Sequence, residues 1–269
     1  MDLRMDLEQI KRTATGAAYK GGAVIRKHFG KIKEIVKKGA IDLVTEADVG
    51  SEKIIIETIR NRYPDHGILA EESGKDHGDA DYLWIIDPLD GTTNFAHGLG
   101  IFGVSIAFSA MGETQFGVVL NPVSGEIFSA TIGKGADLNG RPIRVSPTKT
   151  LSESLLVTGF PYDFKTIMPS VFNRFTTFMM ASQGVRRLGS ASLDLCYVAC
   201  GRFDGFWEQN LKPWDTAAGA IIAREAGAVV TDFSGEPYAG DKKEILAANS
   251  DIHDEMLTLL KKKQPAQGD

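Results

Sequence analysis

The second half of this chain alternates between short apolar runs and longer segments in which apolar residues recur at helical spacing. The short runs have the length of strands and lie between turn residues, whereas the longer segments repeat apolar side chains every three to four positions. The predicted strands span 155–157, 185–188, 203–207, 229–231 and 245–248, and the predicted helices span 164–181, 190–200, 214–226 and 252–262. Because such alternation builds a mixed sheet covered by helices, we expect an α/β region here.

The first half has a different pattern, with two predicted helices before a series of strands. Apolar spacing predicts a helix over 6–29, in which Gly21-Gly22 either weakens the helix or marks the close packing of another element. Thr45 is placed to cap a second helix that runs to about Tyr63. The predicted strands span 68–70, 83–86, 104–109, 116–120 and 127–130, and Asn139-Gly140 predicts a tight hairpin turn.

A polar stretch over 146–153 separates the two patterns. We therefore expect an N-terminal α+β half over 1–148 and a C-terminal α/β half over 149–269 that together form one compact unit. A chain of 269 residues with 43% hydrophobic content is long enough to bury a large core in this way.

The composition excludes several classes of protein. A formal net charge of −5 gives no basic footprint for direct nucleic-acid binding, and two cysteines do not make a disulfide framework. No apolar stretch approaches the roughly 20 residues that cross a membrane. The first six residues carry acids and lack an apolar core, so we expect no signal peptide and a cytoplasmic location.

Two carboxylates follow the predicted strand 83–86 closely. Asp87 and Asp90 are three residues apart on an expected turn that contains Pro88 and Gly91, and the hydroxyl of Thr92 follows where a helix is expected to start. Carboxylates bind hard cations, and the free N–H groups of a helix start bind phosphate. The combination indicates metal-assisted chemistry on a phosphate.

Further acids fall at comparable positions. Glu71 and Glu72 end the apolar run 67–70, and Asp215 lies in the first turn of the helix that Pro213 is suited to begin. Each acid also has an ordinary explanation, as a solvated pair, a turn residue or a helix-start acid stabilised by the helix dipole. Together they favour one site, because α/β folds present functional groups after strands and at helix starts.

Hydrolysis of a phosphate ester gives such a cluster a purpose. Two divalent cations about 3.5–4 Å apart can activate a water and stabilise the leaving oxygen, and Mg²⁺ takes only one or two carboxylates from the protein. Three or four acids that lie close together in space are therefore enough to hold two such ions. The amides around Gly91 and Thr92 could hold the phosphate, and the Thr92 hydroxyl could orient the attacking water.

These segments resemble the inositol monophosphatase family of Mg²⁺-dependent, Li⁺-sensitive phosphatases. DPLDGTTNF at 87–95 matches the first family signature, and WDTAAG at 214–219, followed by EAG at 225–227, matches the second. GILAEES at 67–73 is similar to the Gly-Glu-Glu-Ser segment of the family, with Ala70 in place of the usual glycine, and DLVTEAD at 42–48 matches a further segment. The order and spacing agree over essentially the whole chain, and the segment 187–194 is most similar to bacterial members.

The resemblance implies a set of metal ligands. Glu71, Asp87 and the Leu89 carbonyl would bind one Mg²⁺ ion, and Asp87, Asp90 and Asp215 would bind a second. A weaker third ion would use Glu71 and waters, with Asp42 and Asp48 near it on an opposing flap.

It also implies residues for catalysis and binding. Glu71 and Thr92 would activate the water, and the amides of Gly91 and Thr92 would hold the phosphate. Asp90 and Glu208 would bind the polyol, although Glu208 could instead be a strand-end charge. The implied reaction is hydrolysis of inositol monophosphates without a phosphoenzyme, as in an inositol-1-monophosphatase.

The implied fold is the layered α-β-α-β-α sandwich that the family shares with fructose-1,6-bisphosphatase, and the implied assembly is a homodimer. Some bacterial members also bind transcription machinery in ribosomal RNA antitermination, so a transcription-factor partner stays open. Related enzymes act on fructose 1,6-bisphosphate, histidinol phosphate or 3′-phosphonucleotides, and Arg186 and Arg187 could pair with a second phosphate or serve a structural role. The dehalogenase-like phosphatases fit less well, because their two acids are separated by one residue and Asp87 and Asp90 by two.

Overall fold

The computed structural model describes residues 6–31, 36–37, 43–76, 78–161, 164–240 and 242–261. Within these ranges the helices are α1 (Leu7–His28), α2 (Glu46–Arg60), α3 (Thr92–Ala96), α4 (Phe164–Ala181), α5 (Ala191–Ala199), α6 (Pro213–Glu225) and α7 (Ser250–Lys261). The strands are β1 (Val36–Lys37), β2 (Leu43–Val44), β3 (His66–Ala70), β4 (Gly74–Lys75), β5 (Asp79–Asp90), β6 (Gly103–Ala110), β7 (Glu113–Asn121), β8 (Glu126–Thr131), β9 (Ala136–Leu138), β10 (Arg141–Pro142), β11 (Leu155–Thr158), β12 (Gly184–Arg186), β13 (Gly205–Gln209), β14 (Val229–Thr231) and β15 (Glu244–Ala248).

Two large sheets organise the described residues into layers. The first has the strand order β10-β9-β8-β7-β6-β5-β3-β4, and the second has the order β12-β11-β13-β15-β14. Helices α1 and α2 pack on one face of the larger sheet, α5 and α6 lie between the sheets, and α4 and α7 cover the smaller sheet from outside. This is the layered α-β-α-β-α arrangement that the resemblance implied.

The two sheets divide the chain as the polar stretch suggested. Every strand of the larger sheet comes before residue 148, and every strand of the smaller sheet comes after it. We retain the boundary between 148 and 149 as a proposal. Helices α5 and α6 carry buried side chains toward both sheets, including Leu193, Leu195, Ile221 and Ile222, so one apolar core joins the halves.

The glycine pair in α1 marks a close approach between helices, as one of the two alternatives anticipated. A Cβ atom on Gly21 would lie 2.7 Å from the Ser51 Oγ of α2 and 2.8 Å from the Ile55 Cδ1. A Cβ atom on Gly22 would lie 2.9 Å from Leu120 Cδ2 of the larger sheet. The helix is unbroken, because its packing outweighs the propensity that two glycines cost.

The strand that leads to the acids is longer than the sequence predicted, and the expectation of a turn at Asp87–Asp90 was wrong. Strand β5 runs to Asp90 and pairs with β6 on one side and β3 on the other. The register with β6 shifts between Asp87 and Asp90, at Pro88 and Leu89, which is where a residue without an N–H group can be accommodated. The turn comes one residue later, at Gly91, whose φ of 96° suits glycine.

Other local predictions are confirmed. Thr45 caps α2 and forms a capping box with Asp48, and Pro213 is the first residue of α6. Asn139 and Gly140 join β9 to β10 with φ values of 52° and 74°, the backbone of a two-residue hairpin turn. In the described part of the chain, no helix is long and apolar enough to cross a membrane.

Candidate active site

One cleft collects most of the residues that the sequence singled out. Its volume is about 470 Å³, and it opens where the carboxyl ends of β3 and β5 face the starts of α5 and α6. Its lining includes Glu71, Asp87, Leu89, Asp90, Gly91, Thr92, Glu208 and Asp215. Asp42 lies outside the described residues, and Asp48 reaches the site through a hydrogen bond.

Parallel pairing of two strands brings Glu71 next to Asp87. Ala70 of β3 is in register with Ile86 of β5, and the Glu71 amide donates a hydrogen bond of 3.2 Å to the Ile86 carbonyl. The carboxyl ends of parallel strands meet at one edge of a sheet, so residues that follow each strand become neighbours. The two segments predicted separately therefore converge.

Asp87 lies among other acids. Burial raises the pKa of its carboxyl well above the ordinary value, and the nearby charges of Glu71, Asp90 and Asp215 raise it further. Its Oδ1 accepts a hydrogen bond of 2.9 Å from the Leu89 amide, which holds the side chain against the irregularity of β5. A carboxylate in these surroundings is strongly stabilised by any cation that enters the cleft.

Asp90 has different neighbours. Its Oδ2 accepts hydrogen bonds from the Ser190 hydroxyl at 2.6 Å, the Ser192 hydroxyl at 2.5 Å and the Ser192 amide at 2.8 Å. Burial raises the pKa of the Asp90 carboxyl, and these donors oppose the rise. The first turn of α5 thus holds an acid that belongs to the other half of the chain.

Thr92 is held by two acceptors. Its hydroxyl lies 3.1 Å from Asp48 Oδ1 and 3.0 Å from the Leu89 carbonyl, so it donates to one of them. Asp48 Oδ2 accepts from the Thr45 amide at 2.8 Å and the Thr45 hydroxyl at 2.6 Å. Burial raises the pKa of Asp48 to about 6 in spite of these donors.

The second half contributes Asp215 and Glu208. Asp215 Oδ2 accepts a hydrogen bond of 2.7 Å from the Lys212 amide at the start of α6, as its position in the first turn predicted. Glu208 is buried on β13, and a Cβ atom on Gly159 would overlap its carboxyl group. Burial raises the pKa of Glu208 well above the ordinary value, the charges of Asp215 and Asp90 raise it further, and Arg187 opposes the rise.

The oxygen donors of this cleft suit a hard cation such as Mg²⁺. Burial and the neighbouring acids raise the pKa values of Asp87 and Glu208, so a cation in the cleft would stabilise the charged forms of these carboxyls. Among the described residues, however, no three acid, histidine or cysteine side chains stand in ready coordinating geometry. Asp87 and Asp215 instead accept hydrogen bonds from nearby amides, so a bound ion would require small rotations of these two side chains.

The structure adds Asp194 and Phe160 to the site, and it places beside them Arg187, which the sequence analysis considered as a partner for a second phosphate. Asp194, on α5, lines the cleft and is fully buried, and neither of its carboxyl oxygens has a hydrogen-bond partner among the described residues. Phe160 and Arg187 line the same region, with the Arg187 guanidinium 6.0 Å from the centre of the Phe160 ring. Arg186 donates to the Val185 carbonyl and is not in the lining. Only Arg187 of the pair is therefore placed to meet a substrate.

Comparisons with known proteins cover nearly the whole chain. The model of the inositol monophosphatase family matches residues 6–265. An inositol-1-monophosphatase of Synechocystis is 48% identical over 253 residues, which are 93% of this chain and 88% of the relative. The Nus factor SuhB of Pseudomonas aeruginosa is 43% identical over 96% of this chain and 98% of the relative.

A solved structure of the same family has the same fold. The inositol monophosphatase of Anabaena superposes with a TM-score of 0.88 at 44% identity, over 97% of this chain and 98% of that one. The chain belongs to the inositol monophosphatase family.

Proposed function

We propose that this protein hydrolyses inositol monophosphates to inositol and phosphate, with Mg²⁺ and an activated water and without a phosphoenzyme. The observation that carries the proposal is the convergence of Glu71, Asp87, Asp90 and Asp215 from distant segments on one cleft beside the Gly91–Thr92 turn. The family membership and the name of the Synechocystis relative support this substrate class.

Two or three Mg²⁺ ions would be held by Glu71, Asp87, Asp90, Asp215 and the Leu89 carbonyl, with Asp42 and Asp48 near the third. When bound, they supply the positive charge that makes a water acidic and stabilises the leaving oxygen. Glu71 and Thr92 orient and activate that water, and the Glu71 carboxylate accepts its proton. The Thr92 hydroxyl donates to Asp48 or to the Leu89 carbonyl, so its lone pairs are available to a water.

The same cleft provides for the rest of the ester. The amides of Gly91 and Thr92 hold the phosphate oxygens, because Gly91 is the N-cap of α3 and has no side chain that could cap the first N–H groups of the helix. Glu208 and Asp90 accept hydrogen bonds from the polyol hydroxyls. The attack of water breaks the bond between phosphorus and the ester oxygen, which leaves as the alcohol after it gains a proton.

The direct test is phosphate release from inositol 1-phosphate and from fructose 1,6-bisphosphate, with Mg²⁺ and with EDTA. We expect Mg²⁺-dependent turnover with a higher kcat/KM for inositol 1-phosphate. Glu208→Gln should raise the KM for inositol 1-phosphate about 10-fold, whereas Glu57→Gln, an exposed acid on α2, should not. Turnover in EDTA or a preference for the bisphosphate would contradict the proposal.

One observation favours a second substrate class. Arg187 lies in the cleft lining, where a guanidinium could pair with a second phosphate. A related enzyme that acts on fructose 1,6-bisphosphate, histidinol phosphate or a 3′-phosphonucleotide is therefore the alternative. If Arg187→Gln lowered kcat/KM for the bisphosphate alone, the alternative would gain support.

A partner role is the second candidate function. The Pseudomonas aeruginosa relative is named a Nus factor, and this supports a transcription-factor partner in addition to catalysis. Affinity capture of the wild-type chain and Asp90→Asn from cell extract tests it. Recovery of transcription proteins by both variants would support the role, and recovery of neither would count against it.

We also propose a homodimer in the cytoplasm. Helix α4 exposes Met168, Phe172 and Met179, which are 41–48% accessible and share one face of the helix. The described cysteines, Cys196 and Cys200, are free. Light scattering after size-exclusion chromatography tests the dimer, and a monomer at micromolar concentration would contradict it.

A further inference from the structure

The start of α5 is capped in an unusual way. Ser190 occupies the N-cap position, but its side chain makes no capping hydrogen bond within the helix. Its hydroxyl donates to Asp90 Oδ2, and the same oxygen accepts from the amide and the hydroxyl of Ser192. A carboxylate one hundred residues away therefore takes the part of the capping side chain.

The three donors converge on a single oxygen. A carboxylate oxygen offers about two lone-pair directions, so Oδ2 is fully used by donors at 2.5–2.8 Å. Ser190 and Ser192 are buried at 1% and 0% exposure, which excludes water from competing for these bonds. The Ala191 amide is a further donor to this carboxyl, and Oδ1 takes part in none of the three bonds from Ser190 and Ser192.

We infer that Ser190 and Ser192 are positioning residues that fix Asp90 so that it presents one oxygen, Oδ1, to a divalent cation. The inference rests on the metal site proposed above. It adds to that site two hydroxyls from the second half of the chain, which hold the metal ligand Asp90 and do not contact the ion themselves.

The packing around the hydrogen bonds from Ser190 and Ser192 to Asp90, here called the serine clamp, supports a fixed position of the Asp90 carboxylate. Gly91, which follows Asp90, lies so close to the second half that a Cβ atom on it would be 3.1 Å from the Gly189 carbonyl. Asn94 donates hydrogen bonds of 2.7 Å to the carbonyls of Ile101 and Leu188. The segments on both sides of the serine clamp are thus anchored, and rotation of the Asp90 carboxylate would break three hydrogen bonds at once.

The test is the affinity of the full-length protein for Mn²⁺ alone, measured from the electron paramagnetic resonance signal of the free ion. Residues that hydrogen bond to metal ligands typically change affinity about 10–100-fold when they are removed. We expect Ser190→Ala and Ser192→Ala each to raise the Kd for Mn²⁺ about 10-fold, and the double variant to raise it further.

Two further variants separate positioning from packing. Ser190→Thr keeps the hydroxyl and should bind Mn²⁺ within about two-fold of wild type. Ser154→Ala removes another fully buried serine, whose hydroxyl donates to the Thr150 carbonyl at 2.9 Å, and should leave the affinity unchanged. If Ser192→Ala does not fold, Ser190→Ala and Ser190→Thr carry the test, with the melting temperature in EDTA as the measure of folding.

The outcomes distinguish this inference from the proposed function. Wild-type affinity or tighter binding in folded Ser190→Ala and Ser192→Ala would overturn the inference alone. Equal loss in Ser190→Thr and Ser190→Ala would also overturn it, because the hydroxyl would then not be the cause. A wild-type protein that binds no Mn²⁺ would overturn the proposed metal site and the inference together.

Discussion

The two walls of the cleft hold their acids in different ways. On the strand wall, Glu71 follows β3 and Asp87 lies near the end of β5, and the charge of Glu71 is one cause of the raised pKa of Asp87. On the helix wall, Asp215 accepts a hydrogen bond from an amide at the start of its own helix, and the end of β5 places Asp90 against three donors from the start of α5. The strand wall therefore brings acids close to one another, whereas the helix wall fixes the position of carboxylates.

The first way to break this comparison is Asp90→Asn. The amide would place an NH₂ group or a neutral oxygen where the ion and the serine donors both require a carboxylate. We expect kcat/KM to fall by at least about 100-fold with the fold retained, because loss of an outer hydrogen-bond partner alone costs up to that much. Phosphate release and circular dichroism measure the two effects.

Asp81→Asn, an exposed acid at the other end of β5, is the matched control. Near-normal turnover in Asp90→Asn would remove Asp90 from the metal site. It would also leave the helix wall as a purely structural feature.

The second test concerns Thr92, which follows the strand wall. Thr92→Val keeps the shape of the side chain and removes the hydroxyl that donates to Asp48 or the Leu89 carbonyl. We expect kcat to fall about 100-fold with little change in KM, since proton transfer by a positioned group contributes about 10²–10⁴-fold. Thr58→Val, which removes a hydroxyl bonded to the Ile54 carbonyl, should retain activity. A kcat equal to wild type in Thr92→Val would show that this hydroxyl does not orient the water.

The third test displaces the Glu208 carboxyl group without changing any polar side chain. A Cβ atom in Gly159→Ala would overlap the Glu208 carboxyl group and displace it. We expect the KM for inositol 1-phosphate to rise about 10-fold and the protein to lose about 1–3 kcal/mol of stability through overpacking. Gly16→Ala, where a Cβ atom meets nothing within 4 Å, is the control. An unchanged KM would argue against contact between Glu208 and the polyol.

The fourth test uses pH and Asp48, a helix-start acid in the first half. Its pKa is about 6 in the folded chain and 3.8 without the fold, with burial as the main cause. Between these values the folded state holds a proton that the unfolded state has lost, so stability decreases as pH rises from about 4 to about 6. The contribution is at most about 3 kcal/mol at 1.36 kcal/mol per pKa unit.

Urea denaturation in EDTA at pH 4.5 and pH 7, compared between wild type and Asp48→Asn, measures this effect. The pH dependence should be smaller in the variant. The same dependence in both proteins would mean that Asp48 titrates normally, and that a helix-start position alone compensates its burial.

The sequence predicted most of the elements and the membership of the site, and local patterns explain why. Helix α4 has the predicted bounds, and Thr45 caps α2, because apolar spacing and capping residues act over a few positions. The extension of β5 through Asp90 was missed, since pairing with β6 continues beyond the apolar run. Pro88 and Gly91 look alike in sequence as turn residues, but only Gly91 turns the chain.

The contacts between distant segments that shape the site could not be predicted from local sequence patterns. Nothing in the neighbourhood of Ser190 or Ser192 indicates that their donors meet an acid from the other half. Asp194 lies within the predicted helix 190–200, where the sequence analysis assigned it no role, and the packing of α5 buries it beside the cleft. Local patterns singled out the acids and the resemblance gave their expected roles, whereas the donors that hold each acid depend on contacts between distant segments.

A position with no side chain at all helps to set the floor of the cleft. Gly21 lets Ser51 approach α1, and the Ser51 hydroxyl donates to the Pro88 carbonyl at 3.0 Å, between the two acids of β5. A methyl group at position 21 would displace the Ser51 side chain, and with it the hydrogen bond to the Pro88 carbonyl. Genetic screens for inactive enzyme should therefore recover substitutions at Gly21. In the structures of such variants, the expected change is a displaced Pro88 carbonyl.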